Sequence, residues 1–355
     1  MSDPQRILVV QPTWVGDAVM STPTLRALRH LYPNAHITYL LKRYVKPIYT
    51  GMPWADRLIT YRTGKTNKKA GRQQFLGLIA RIRKGRFDTA ILLPGSFKSA
   101  LIVKMAGIPR RIGYDRDGRG FLLTDKLLPP RAAGQYIPSP IIKYYLGIAQ
   151  YLGSTERDLT MQLFVTPSEE RRAQRVLDTC GFRPDHRPVV LLNPGAQYGS
   201  SKCWPPEYFA ELADLLVKNH RAQILISSAP RERDIVDEIL RRMNHPALDL
   251  ARSGLTLGAL KSITRRCDLL ITNDTGPRHI AAAMGIPLIT LFGPTHPQWT
   301  EIYYPKERIL SVPVHCGPCQ LKTCPLDHRC MVRLIPSMVY DAAIPFLSPT
   351  LADLT

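Results

Sequence analysis

Short continuous apolar runs alternate along this chain with segments whose apolar positions recur every three to four residues. In the first half the runs are Arg6 to Gln11, His36 to Leu41, Thr89 to Leu93 and Arg111 to Tyr114. Between them lie a helical pattern carried by Val19, Leu25, Leu28 and Leu31, and another from Ser96 to Ala106. The pattern restarts after residue 165. Runs at Val189–Asn193, Ala222–Ser227, Leu248–Ala251, Leu269–Thr272 and Pro287–Phe292 read as strands. Segments Glu169–Cys180, Pro206–Asn219, Arg231–Met243, Thr256–Arg266 and Thr275–Met284 read as helices. Unbroken apolar runs between helices mark parallel strands buried on both faces. The expected fold is therefore α/β, with two doubly wound domains. The polar, Pro-rich stretch Arg183–Pro188 helps place the boundary within 165–187, giving domains of about 1–170 and 171–355. The last helix is the one element that could return to the first domain.

A length of 355 residues suits two domains, each with its own core. Charge then separates the halves. Residues 1–150 carry 25 basic and 7 acidic side chains, and the rest carry 23 and 21. A polyanionic partner is expected on the first half. With 45% hydrophobic residues the chain is no disordered polymer. No run of eighteen apolar residues predicts a membrane span, and Met1–Arg6 starts no secretory signal. A pI near 9.9 alone does not make a nucleic-acid binder, and no helix-turn-helix, RNP or zinc-finger pattern accompanies it. No nucleic acid is expected as a partner.

Open α/β domains bind ligands at the carboxyl ends of their strands, so the loops after the strands are where chemistry belongs. The first, Gln11 to Met20, holds Gly16 and Asp17. Asp17 either caps the following helix or serves as a general base. The single glycine argues against a dinucleotide fingerprint. The second loop, Asn193 to Pro205, offers Gln197, Ser200, Ser201 and Lys202, groups able to cradle phosphate without forming a P-loop. The third, Thr272 to His279, opens a helix with Asp274, Thr275 and Gly276. A helix start of this kind attracts anions. Asp274 is a sugar contact or a cap, and His279 a ligand or a core histidine.

Gly16-Asp17, Asn193-Pro194-Gly195 with Lys202-x-Trp204-Pro205, and Asn273-Asp274-Thr275-Gly276-x-x-His279 together resemble glycosyltransferase family 9. Ser96 to Ala100, Arg111 to Tyr114 and Phe292 to Thr295 extend the likeness, which covers roughly residues 6–345. The resemblance implies a GT-B fold: two Rossmann-like domains facing across a cleft, acceptor on the first and nucleotide sugar on the second. It implies inverting transfer of L-glycero-D-manno-heptose from ADP-heptose to the first heptose of the lipopolysaccharide inner core, without a catalytic metal. The implied location is cytoplasmic, peripheral at the anionic inner face of the inner membrane. By the same resemblance Asp17 is the general base and Lys202 steadies the departing pyrophosphate with the Thr275 and Gly276 amides. Asp274 would hold sugar hydroxyls, with His279 near the donor. Glu232 is the choice for the adenosine ribose, with Asp234 its rival. Gln197, Ser200 and Ser201 complete the donor loop, while Gly16, Ser96 and Lys98 fall on the acceptor side. The alternatives are another family 9 sugar transfer, first-heptose transfer included, a nucleotide-sugar 2-epimerase, and a non-catalytic binder of anionic glycans or lipids.

Two features lie outside that pattern. Thr63 to Arg72, with Lys65, Lys68 and Lys69, reads as a basic acceptor-side loop or a solvated surface. Cys316, Cys319, Cys324 and Cys330 either hold a structural Zn or Fe or remain packed, reduced thiols.

Overall fold

A computed structural model describes residues 4–62, 68–132 and 134–347, with no side chains at Lys68, Lys69 and Gln135. The chain forms two compact units, residues 1–164 with 298–302, and 165–297 with 303–355. In the first, strands β1 (Arg6–Val10), β2 (His36–Lys42), β3 (Arg57–Tyr61), β4 (Thr89–Leu92), β5 (Arg110–Tyr114) and β6 (Asp125–Leu127) form one sheet in the order β3-β2-β1-β4-β5-β6. A small hairpin follows, β7 (Arg131–Ala132) and β8 (Gln135–Tyr136). Its helices are α1 (Val15–Met20), α2 (Thr22–Leu31), α3 (Lys46–Tyr49), α4 (Lys68–Lys84), α5 (Phe97–Met105) and α6 (Ile141–Tyr151).

The second unit repeats the plan. Its strands are β9 (Val189–Asn193), β10 (Gln223–Ile226), β11 (Leu248–Asp249), β12 (Leu269–Asn273), β13 (Leu288–Phe292) and β14 (Glu307–Ser311), ordered β11-β10-β9-β12-β13-β14. Helices α7 (Pro167–Thr179), α8 (Pro206–His220), α9 (Arg233–Arg242), α10 (Leu257–Thr264), α11 (Gly276–Met284), α12 (Arg329–Val332) and α13 (Pro336–Leu347) cover it. Every pairing in both six-stranded sheets is parallel. This is the Rossmann order, twice, and the expected two-domain α/β architecture holds.

The central strands are built as the apolar runs require. All residues of β4, β9, β12 and β13 are buried. One device recurs in both units. A carboxylate just before an added strand accepts the leading amide of a neighbouring strand: Asp88 from Arg6 N and Asp268 from Val189 N, both at 2.7 Å. Each bond fixes the register at the sheet's centre, where the strand order reverses.

The structure also differs from the sequence reading. The first helical segment breaks at Ser21 into α1 and α2, because the Ser21 and Thr22 hydroxyls turn back onto the Ala18 and Val19 carbonyls. Residues 68–72 open helix α4 rather than extend a loop. Terminal helix α13 packs on its own unit, where Val339 and Ala343 join a core built around Trp204 and Phe209.

Candidate functional site

In the first unit the loops after β1 and β4 line one pocket of about 530 Å³, at the switch point of the strand order. Asp17 stands on its wall with Trp14, Ser96 and Lys98. Trp14 is the N-cap residue of α1, so Asp17 sits at the third helical position and is not the cap. Gly16, one residue earlier, lies in the same turn but off the pocket wall. Ser96 caps α5, its Oγ accepting from Ser99 N at 3.4 Å, and so aims the loop that carries Lys98. Beneath this loop lies Arg119, fully buried, which sequence reasoning missed. It donates to the Pro94 and Tyr114 carbonyls and to Ser99 Oγ, tying the β4 and β5 loops together. Lys65 lies outside the described residues; Lys68 and Lys69 begin α4, and their side chains are undescribed.

In the second unit the loops after β9 and β12 meet, again at the switch point. Lys202 Nζ donates to Asp274 Oδ2 at 2.5 Å and to the Asp274 carbonyl at 3.0 Å. Thr295 Oγ1 donates to the same carboxylate at 3.0 Å, and Arg278 reaches its other oxygen at 3.5 Å. Burial alone would raise the Asp274 pKa, but the Lys202 and Arg278 charges outweigh it and hold the carboxyl below its ordinary range. Thr275, not Asp274, is the N-cap residue of α11, and its hydroxyl lies 3.2 Å from Asn193 Oδ1. Asn273 binds the Pro194 carbonyl at 2.7 Å and accepts from Trp204 N, locking the two loops together.

Glu232 lies against Gly195, where any side chain would run into its carboxylate. Its Oε2 accepts from Ala229 N at 2.9 Å. Burial raises its pKa, partly opposed by the Ala229 and Ala196 amides. Asp234 is exposed in the first turn of α9. Gln197 and Ser200 are exposed on the β9 loop. Ser201 is not free for phosphate: it is buried, and its hydroxyl donates to the Leu321 carbonyl at 2.5 Å. Its work is to pin the cysteine-bearing segment.

His279 is buried, with Nδ1 lacking a partner among the described residues. Burial, reinforced by Arg278, pushes its pKa down to about 3. It is a neutral imidazole at any working pH. An unfolded histidine takes its proton near pH 6.5, so between about 6.5 and 3 the unfolded state binds more protons. Stability should therefore fall as the pH drops through that window. Urea denaturation at stepped pH is expected to give His279→Gln a shallower acid slope than the wild type, by up to about 1.4 kcal/mol per pH unit. Parallel slopes would contradict the neutral, buried imidazole.

The four cysteines are free thiols that line one small cavity of about 20 Å³, beside His328. Among the described residues no group of three or more His, Cys, Asp or Glu side chains is placed to hold a metal ion. His328 Nε2 is 2.7 Å from the Ser201 carbonyl, and His315 contacts Arg329. Cys330 closes against Met331 and Gly293 under the β13 loop.

Two Rossmann-like units, one presenting the Asp17 carboxylate in a pocket with Lys98 and the other Lys202 and a helix start at its switch point, fit a glycosyltransferase. The family model for glycosyltransferase family 9 (heptosyltransferase) matches residues 75–329, and the chain belongs to that family. It is 32% identical over 313 residues to lipopolysaccharide heptosyltransferase 2 of Escherichia coli K12, covering 86% of this chain and 88% of that one. It is 30% identical to lipooligosaccharide heptosyltransferase 2 of Haemophilus influenzae, over 86% and 88% of the two chains. The solved structure of E. coli ADP-heptose lps heptosyltransferase II superposes with a TM-score of 0.77 and 28% identity, covering 97% and 98%.

Proposed function

We propose that this enzyme transfers L-glycero-D-manno-heptose from ADP-heptose to the first heptose of the lipopolysaccharide inner core, with inversion at the anomeric carbon. The observation that carries the reading is the separation of duties: Asp17 on a pocket without phosphate-type loops, and Lys202 with the α11 start on a pair of loops suited to pyrophosphate. Asp17 takes the proton of the acceptor hydroxyl as its oxygen attacks the anomeric carbon. The bond to ADP breaks on the opposite face, and the transition state has oxocarbenium character, as in glycoside hydrolysis. Lys202 and the α11 amides meet the negative charge that gathers on the leaving pyrophosphate. Glu232 accepts the ribose hydroxyls, and Asp274 keeps Lys202 oriented while offering its remaining lone pairs to the sugar. No catalytic metal or cofactor is required in this scheme. The acceptor carries phosphates and carboxylates at the anionic inner face of the inner membrane, where the basic first half of a peripheral cytoplasmic protein can dock.

The test is incubation with ADP-heptose and a core acceptor bearing one heptose, in EDTA, followed by ADP release and linkage analysis of the product. ADP with a new heptosyl–heptose bond is the expected result. Transfer only to an acceptor lacking heptose would favour first-heptose transfer, and an epimerised nucleotide sugar without transfer would favour the epimerase. Ionic strength gives a second check. Between 50 and 300 mM salt the acceptor KM should rise several-fold and the ADP-heptose KM much less, because long-range attraction to a net-basic half is screened while buried contacts are not. Equal salt slopes would remove the acceptor from the first unit.

A further inference from the structure

One surface of the first unit is unexplained by the Asp17 pocket. Helix α5 places Phe97, Leu101 and Met105 at four-residue spacing, so the three share a face. Phe97 and Met105 are 41% and 40% exposed. The turn Gly120–Leu122 sets Phe121 beside them, 72% exposed, its ring centroid 6.0 Å from that of Phe97. Two phenylalanines in mutual contact, one partly and the other mostly in water, leave much of their ring area unused by the core of this unit. Lys98 and Lys104 flank the stripe, and neither forms an ion pair among the described residues. At its far end Arg83 donates to the Met105 carbonyl. Residues 95–114 contain four basic residues and no acidic one.

We infer that this face, Phe97 and Phe121 with the outer side of α5, is where the protein seats on an anionic lipid bilayer. A short apolar face rimmed by lysines is the composition of an interfacial helix: rings enter the headgroup boundary and cations pair with lipid phosphates. A second copy of the chain fits less well, since a self-contact would bring like-charged lysines together, whereas an anionic bilayer neutralises them. The position has a consequence. Ser96 and Lys98, on either side of Phe97, line the Asp17 pocket, so the bilayer contact lies at that pocket's mouth. A glycolipid acceptor can then reach Asp17 while its acyl chains stay in the membrane. This last step rests on the proposed function; the seating itself does not.

The full chain would be mixed with vesicles of phosphatidylethanolamine and phosphatidylglycerol (3:1), or of phosphatidylcholine alone, and floated. The wild type should bind the first at least tenfold better than the second. Phe97→Ser/Phe121→Ser should lose at least tenfold in binding to the anionic vesicles. Phe121→Ser alone, changing the more exposed ring, should lose severalfold with an unchanged melting temperature. On a deacylated, water-soluble acceptor the double variant should keep wild-type kcat/KM, and on acylated acceptor in vesicles it should fall at least tenfold. Unchanged flotation of a folded double variant would overturn the inference. So would a wild-type dimer that the substitutions dissociate without altering flotation. Should the wild type transfer heptose to neither acceptor, the functional reading fails, while flotation still decides the membrane face.

Discussion

Asp17→Asn should lower kcat by 10²–10⁴-fold, the range a positioned general base contributes, while leaving ADP affinity within twofold of the wild type. The substitution keeps the size and the helix position of the side chain and removes only its basicity. Every group assigned to the nucleotide (Lys202, the start of α11, Glu232) belongs to the other unit, so the calorimetric Kd for ADP has no reason to move. The pocket holds one rival base, Asp117. It sits in a left-handed turn with an exposed side chain 3.8 Å from the Arg116 guanidinium, a partner that competes for its lone pairs. The phenol of Tyr145 on the same wall is no competitor: burial, then the Asp17 charge, pushes its pKa well up and keeps it a neutral donor. Asp117→Asn should therefore retain most of the turnover. The opposite ranking of the two variants would move the base to Asp117. Near-normal turnover in Asp17→Asn would remove it from this loop altogether.

Why the loop bearing Asp17 is legible in the sequence, and Arg119 is not, has a physical reason. The central strands β1, β4, β9, β12 and β13 are buried on both faces, so their apolar runs stand out and the loops that follow them can be located. The edge strands β3, β6 and β14 are partly in water, and their mixed residues carry no run to see. Helix α4 has six basic residues among seventeen, which mimics a solvated loop. Side-chain partnership was still harder to read. Arg278 is fully buried against Glu307, 29 residues away in the chain and on edge strand β14, with bonds of 2.6 and 2.9 Å. No local pattern announces such a pair. The same limit misled the reading of Ser201, whose partner, Leu321, lies in a distant segment.

The second large effect concerns Lys202 and Asp274, which lie on separate loops in the sequence and form one pair in the fold. Lys202 and Asp274 hold each other, with side chains 11% and 4% exposed. Asp274→Ala leaves Lys202 without its carboxylate, whereas Arg278 keeps Glu307. Breaking a buried pair from one side costs about 3–5 kcal/mol, because the stranded charge has lost its solvent and its partner. Asp274→Ala should therefore unfold at markedly lower urea. Adding Lys202→Met should recover part of the loss, since the double variant strands no lysine. The sign of the pH effect follows from the depressed Asp274 pKa: its contribution is present above about pH 4 and fades as the pH falls through the lowered value. The wild type and Asp274→Ala should accordingly converge in stability in acid. Binding should move the other way from stability. Removing the carboxylate frees Lys202 and takes a negative charge from beside the proposed pyrophosphate site, so Asp274→Asn should bind ADP at least as tightly as the wild type. Lys202→Ala should lose 10²–10³-fold in turnover, as when one preorganised donor is removed. Were Asp274→Asn to lose ADP affinity tenfold without losing stability, the carboxylate would be a direct nucleotide contact rather than the anchor of Lys202.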